Sequence, residues 1–393
     1  MKIVILILLT SCLHCQGQDP PPKAPPPVKE HLENVPPSLL QRCTRERRLA
    51  AIKKNGGDEA SEQAVVDALR FLKNTQNKDG SWTDQRKVAP TAFALLCFLG
   101  NGETAGSEEF GVHVLNAIQF LIGKAVENRG KIADDYLDKR WPYEHAIAIY
   151  ALSEAYLLCE VGFEEVIPNL RRAVEVGGDL IIKNQHKGGG WEYGYDQENV
   201  RGGTVALTGW QVLALKSCEK TGLKFVGLES CWQRSLRYLD GKTNPSGSFG
   251  YISPRTRLTT GPVQDGSTLT AVGGYCFEMF KPGHRYSRKA AGFIDKTMKF
   301  EWNSPHCDLY GHYFASRLMF RHRPNYWNRY QKIVFPQILK NQGTDGAFLV
   351  PNHGKYQEVI AISPSYAVEN GYGKHYRTCL VTQILQTYYR GIP

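Results

Sequence analysis

The residues best placed for chemistry are acids that open apolar helical runs. Asp265, in V-Q-D-G-S-T, precedes the run Ser267–Phe280, and Asp308 precedes the run Leu309–Phe320. A carboxyl group in such a place can be desolvated, which raises its pKa towards that of a proton donor. Asp265 and Asp308 are therefore the candidate catalytic residues, although an aspartate ahead of an apolar helix also serves as an N-cap. His306, Cys307, Asp308 and His312 stand close together, and Asp308 and His312 are one helical turn apart. Catalytic zinc needs at least three protein ligands in geometry, so this cluster reads as a polar cavity lining, and no metal or other cofactor is expected. Asp134, Asp135 and Asp138 have a spacing that on a helix holds a divalent cation; Trp141-Pro142 follows at once, so the segment reads as a loop.

The elements that must position these residues are set by a repeated turn. Gln185, Gly189 and Trp191 share their spacing with Gln76, Gly80 and Trp82, and Gln342, Gly346 and Phe348 repeat it with Phe for Trp. Gly247 and Phe249 are a copy without the Gln. The intervals between these glycines fit a period of roughly 50 residues with two degenerate copies. Gly accepts a backbone conformation that a Cβ resists, the Gln amide can cap a helix end, and the aromatic ring packs on the neighbouring repeat. Around each turn, a helix with a one-sided apolar stripe (Val65, Ala68, Leu69, Leu72) is followed by a run apolar on every side, such as Thr91–Leu99 or Ala146–Cys159. Six such pairs, with no confident strand, predict an all-α fold: an α6/α6 toroid with an outer and an inner helix ring over residues 60–393.

The 393 residues carry a formal net charge of +10. The basic runs Arg42–Lys54 and Arg317–Lys332 read as helical stretches whose charges face solvent, and no nucleic-acid motif accompanies them. Residues 1–18 read as an export signal, with Lys2 followed by the apolar run Ile3–Leu9, too short to span a bilayer. Leu9-Thr10-Ser11-Cys12 resembles a bacterial lipobox, which implies lipidation of Cys12 and attachment to a membrane. The Pro-rich stretch 19–36 is a stiff spacer, and residues 37–59 hold a leading helix. Cys218 and Cys231 flank one connection and are a possible disulfide pair in an oxidising compartment, whereas Cys97, Cys159, Cys276 and Cys379 fall inside apolar runs as core residues.

Turns of the form Gln-x-x-x-Gly-x-Trp before apolar helices resemble the repeats of squalene–hopene cyclases, oxidosqualene cyclases and protein prenyltransferase β-subunits. W-P-Y-E-H-A-I-A-I-Y-A-L-S-E-A-Y, T-G-W-Q-V-L-A-L-K-S and T-Y-Y-R-G-I-P are similar to segments of exported bacterial proteins that carry this repeat. The resemblance implies the toroid more strongly than any reaction. The Asp-x-Asp-Asp run of the cyclases is missing. Where the prenyltransferases hold zinc, this chain has Asp308-Leu309-Tyr310 and Tyr376-Arg377-Thr378-Cys379, which keeps the Asp but replaces the Cys and His. The Gly-Cys-Gly-Glu-Gln of thioester toroids is absent as well.

All six inner helices start from one end of the ring, so their positive dipole ends converge on one mouth. Glu144, Thr204, Asp308, His312, His375 and Arg377 open inner helices there, with Trp210 and Tyr310 as aromatic wall. Such a mouth suits a greasy molecule with a polar or anionic head. The expected function is binding, and potentially transformation, of an isoprenoid or similar lipid. The alternatives are a non-catalytic scaffold for another envelope protein, or a carbohydrate-active toroid using Glu144, Asp265 and Asp308.

Overall fold

In the computed structural model the described residues are 30, 32–159, 166–256, 266–304, 307–350 and 372–390. After a short helical turn at Leu40–Arg42, helix α1 (Arg45–Lys54) leads into six helical pairs. Their outer members are α2 (Glu59–Asn74), α4 (Gly111–Glu127), α6 (Leu170–Lys183), α8 (Leu228–Asp240), α10 (Arg285–Thr297) and α12 (Asn325–Lys340). Their inner members are α3 (Val88–Gly100), α5 (Trp141–Cys159), α7 (Val205–Lys220), α9 (Ser267–Phe280), α11 (Leu309–Arg321) and α13 (Tyr372–Leu385), followed by α14 (Thr387–Arg390). Each inner helix packs on the next, and α13 packs back against α3, so the inner layer is a closed ring. The protein is an α6/α6 toroid. Among the described residues the extended pairing is limited to two isolated bridges, Thr243 with Phe249 and Gln342 with Phe348.

The repeated turn works as a staple between neighbouring pairs. Gly80, Gly189, Gly247 and Gly346 have φ of 84°, 95°, 91° and 86°, a region that a Cβ makes costly. A Cβ at the first, second and fourth would also run into the backbone oxygen of Asn116, Arg234 or Asp67, each on the following outer helix. The Gln amide spans the same gap. Gln76 Nε2 donates to Gly80 O (3.0 Å) and His113 O (2.9 Å), Gln185 Nε2 to Gly189 O (2.9 Å) and Cys231 O (3.0 Å), and Gln342 Nε2 to Gly346 O (2.8 Å) and Ala64 O (2.8 Å). The last of these joins the sixth pair to the first and closes the circle. Trp82 and Trp191 return their indole N–H to the preceding outer helix, at Leu72 O and Ile181 O (both 2.9 Å). A threonine of the inner helix, Thr91, Thr208, Thr270 or Thr378, accepts the backbone N–H of each turn's aromatic residue.

Two expectations about charge and sulfur are corrected. Arg42, Arg48 and Arg317 are buried rather than turned to solvent. Arg42 reaches Glu154 (2.9 Å) and Arg48 reaches Glu62 (2.7 Å), acids far away in sequence that a charge run cannot reveal. Cys218 and Cys231 are free, as are the other described cysteines; Cys218 Sγ lies 3.2 Å from Ser153 Oγ, inside the ring wall.

Candidate functional site

The inner helices present their faces to the ring axis at intervals of seven residues, two turns of helix or ~10 Å. Near the mouth these positions carry Tyr143 of α5, Trp210 of α7, Thr268 of α9, Tyr310 of α11 and Tyr376 of α13. Aromatic rings from helices that are not neighbours meet across the axis. Trp210 lies 5.5 Å from Phe93 of α3, 5.4 Å from Tyr313 and Phe314, and 6.4 Å from Tyr310 of α11. Phe93 in turn lies 4.9 Å from Tyr376. The expected aromatic wall, Trp210 and Tyr310, is thus a packed column on the axis itself.

Above the column the mouth is lined by hydroxyls. Tyr193 Oη sits 2.7 Å from Tyr251 Oη and 3.5 Å from Tyr143 Oη. Tyr193 and Tyr251 come from loops, so helix periodicity gave no sign of them. Burial raises the Tyr143 phenol well above its ordinary pKa, reinforced by the neighbouring Tyr193, Tyr251 and Tyr310 oxygens. Tyr310 Oη itself is buried, with the Trp210 side chain beside it.

Asp308 is a helix cap with a second contact. Its Oδ1 accepts from Gly311 N (2.9 Å) and its Oδ2 from the Thr268 hydroxyl of the neighbouring inner helix. Donors on both oxygens fix Asp308 between α9 and α11. Arg377 donates Nε–H to Phe348 O (2.9 Å), and burial lowers its pKa to about 10 against the opposing pull of Cys307. Asp265 lies outside the described residues.

The other predicted site residues do not gather at the axis. His312 faces the outer layer: Nδ1 is 2.9 Å from Tyr330 Oη, Nε2 is 3.2 Å from Lys299 O, and the ring abuts Phe300. His375 is wedged between α13 and α3, with Nε2 2.9 Å from Pro90 O and its ring beside Trp82. A first-turn position fixes a residue's height in the ring but not its direction: His312 takes up a backbone carbonyl on the side of the outer layer, and His375 one of the neighbouring inner helix α3. Thr204 caps α7, accepting from Leu207 N (3.3 Å). Glu144 accepts from Asp134 N (2.9 Å) with Arg86 3.8 Å away. The acids around it point to separate partners, Asp134 to Val88 N, Asp135 to Leu137 N, and Asp138 to Arg86 and Arg140. Among the described residues no group of three or more His, Cys, Asp or Glu is placed to hold a metal ion.

No family model matches the chain, and no curated protein matches it either. Solved structures do. A type II terpene cyclase from Scytonema in complex with its substrate geranylgeranyl dihydroxybenzoate superposes with a TM-score of 0.57 at 12% identity, covering 84% of this chain and 98% of the cyclase. An inactive α-1,6-mannanase variant from Salegentibacter sp. in complex with α-1,6-mannotetrose gives 0.56 at 9% identity, covering 84% of this chain and 99% of the mannanase. A protein from Actinoplanes gives 0.54 at 15% identity over 84% and 99% of the two chains. At these identities the likeness establishes the toroid fold, which supports both lipid and carbohydrate chemistry.

Proposed function

We propose that the mouth end of this toroid binds, and transforms, a prenyl-type hydrocarbon carrying a polar head. The observation that carries this reading is the cluster of Tyr143, Tyr193 and Tyr251 hydroxyls at the mouth, next to the axial column of Phe93, Trp210, Tyr310, Tyr313, Phe314 and Tyr376, although a packed centre by itself favours the scaffold role. Aromatic faces suit an isoprenoid chain and stabilise positive charge developing along it. Arg377 and the hydroxyls suit the head. Asp308 takes the role of proton acceptor, and Asp265 that of donor. The prenyl substrate held by the Scytonema cyclase on the same fold supports this reading. Export and a Cys12 lipid anchor belong to the same proposal.

Native mass spectrometry and lipid extraction of the purified protein test it. An isoprenoid should co-purify, and a geranylgeranyl compound should raise the melting temperature of the wild type but not of Trp210→Ala. No co-purifying isoprenoid, together with unchanged melting across an isoprenoid panel, would sink the reading.

A second reading, carbohydrate hydrolysis, is favoured by the acids Asp134, Asp138 and Glu144 with exposed Tyr136 at the same end, and by the mannanase on the same fold. Stabilisation by mannotetrose with release of reducing ends would select it. Silence of both panels would favour the scaffold role.

A further inference from the structure

The axis has a second polar level two helical turns below the mouth. Seven residues beyond Tyr143, Trp210, Thr268, Tyr310 and Tyr376 stand Tyr150, Ser217, Tyr275, Arg317 and Gln383, from five different inner helices. All five are buried, Arg317 at 4% exposure and the others at 0%. Ser217 Oγ, Tyr275 Oη, both Gln383 amide atoms, and Arg317 Nε and Nη2 have no hydrogen-bond partner. A folded protein rarely leaves one such group unanswered, and here they cluster on one axis.

The charges at this depth do not balance. Glu154 is shared by Arg42 (2.9 Å) and Arg390 (2.8 Å). Among the described residues Arg317 pairs with no carboxylate: its Nη1 donates to Tyr313 O (2.7 Å), and its guanidinium lies 3.7 Å over the Tyr313 ring. What remains open is the Nε–Nη2 edge, the fork whose two parallel N–H groups match the two oxygens of a carboxylate. The named atoms each expose less than 1 Å², so no water-sized space borders them and a small occupant enters only as the side chains move apart.

We propose that this level is a binding site for a small carboxylate, held bidentate by Arg317 and completed by the Gln383 amide and the Tyr275 and Ser217 hydroxyls. It lies beneath the aromatic column and does not depend on what the mouth binds. An anion here gives Arg317 the partner that Glu154 supplies to Arg42 and Arg390.

Melting of the full chain tests the site. In a buffer free of carboxylates, formate or acetate is titrated against chloride at matched ionic strength. The wild type should show a saturable rise of several degrees with the carboxylates. Arg317→Met should lose that rise, melting above the wild type without carboxylate, because a buried unpaired charge is gone, and below it at saturation. Gln383→Leu keeps the arginine and should raise the half-saturating concentration about tenfold, a loss of one good hydrogen bond. Saturation-transfer NMR on the wild type with formate as probe needs no variant and should show bound formate. No carboxylate-specific rise and no transfer in the wild type, or the same rise in Arg317→Met, would overturn the site.

Discussion

The two ends of the inner ring use polar groups in opposite ways. At the floor, where the inner helices end, polar groups answer one another across long stretches of chain. Glu154 of α5 pairs with Arg42 from the leading segment and Arg390 from α14, and Arg390 also donates to Leu96 O (2.7 Å) of α3. Burial would raise the Glu154 pKa, but the Arg390 and Arg42 cations overcome it and hold the carboxyl below its ordinary range. At the mouth, where the same helices begin, polar groups serve nearby backbone: Thr204 and Asp308 cap their own helices, His312 bonds Lys299 O and His375 bonds Pro90 O of the neighbouring inner helix. The floor is a cross-link made of charge. The mouth is a set of local caps around hydroxyls, an arrangement that can change with its contents.

The largest effect should come from the floor. Glu154→Gln keeps the shape but leaves Arg42 and Arg390 buried without a counter-charge, and removing one partner of a buried pair costs about 3–5 kcal/mol. The urea midpoint should drop accordingly, and a midpoint like the wild type's would mean that the floor is not a lock. Acid should act next, and at the other end. His145, His312 and His375 lie in the first turns of α5, α11 and α13, and burial lowers each pKa from 6.5 to about 4. Between these values the unfolded chain binds protons that the folded chain refuses, so their contribution is complete above pH ~6.5 and is lost as pH falls towards 4. Each histidine accounts for about 3 kcal/mol across that window. Hydrogen exchange at pH 5 should therefore quicken at the first turns of these helices before it does around Glu154 and α14, and His312→Gln should flatten the pH dependence. Simultaneous quickening at both ends would erase the distinction.

The ring was legible in the sequence because its determinants are local and repeated. Gly80, Gly189 and Gly346 mark turns that only a left-handed residue closes cheaply, and the one-sided and all-round apolar runs alternate as outer and inner helices do. The inner run expected at Ser267–Phe280 is α9 to the residue. The floor was not legible. Arg42 stands in a stretch that looks like a wet helix face, and only tertiary closure brings it to Glu154, 112 residues away. The mouth was half legible. Trp210 and Tyr310 meet on the axis as their helix starts suggest, whereas His312 turns to the outer layer and His375 to the neighbouring inner helix, because a one-residue change of register rotates a side chain by roughly 100°. Arg317 carried a signal, seven residues after Tyr310, that has meaning only once the axis is known.

The smallest effect gives the sharpest comparison, because it repeats the floor's chemical change at the mouth. Asp308→Asn exchanges a carboxylate for an amide, as Glu154→Gln does. Two described partners of Asp308 are neutral donors, Gly311 N–H and the Thr268 hydroxyl. The amide oxygen can still accept from Gly311 N–H, and Asn is as good an N-cap as Asp, so the loss should stay within about 1 kcal/mol. If a polar-headed ligand uses Asp308 as a proton acceptor, turnover should fall by orders of magnitude while the melting temperature hardly moves. A loss of stability as large as that of Glu154→Gln would instead make Asp308 part of a buried charge network, and the mouth would be a second lock rather than an adaptable end.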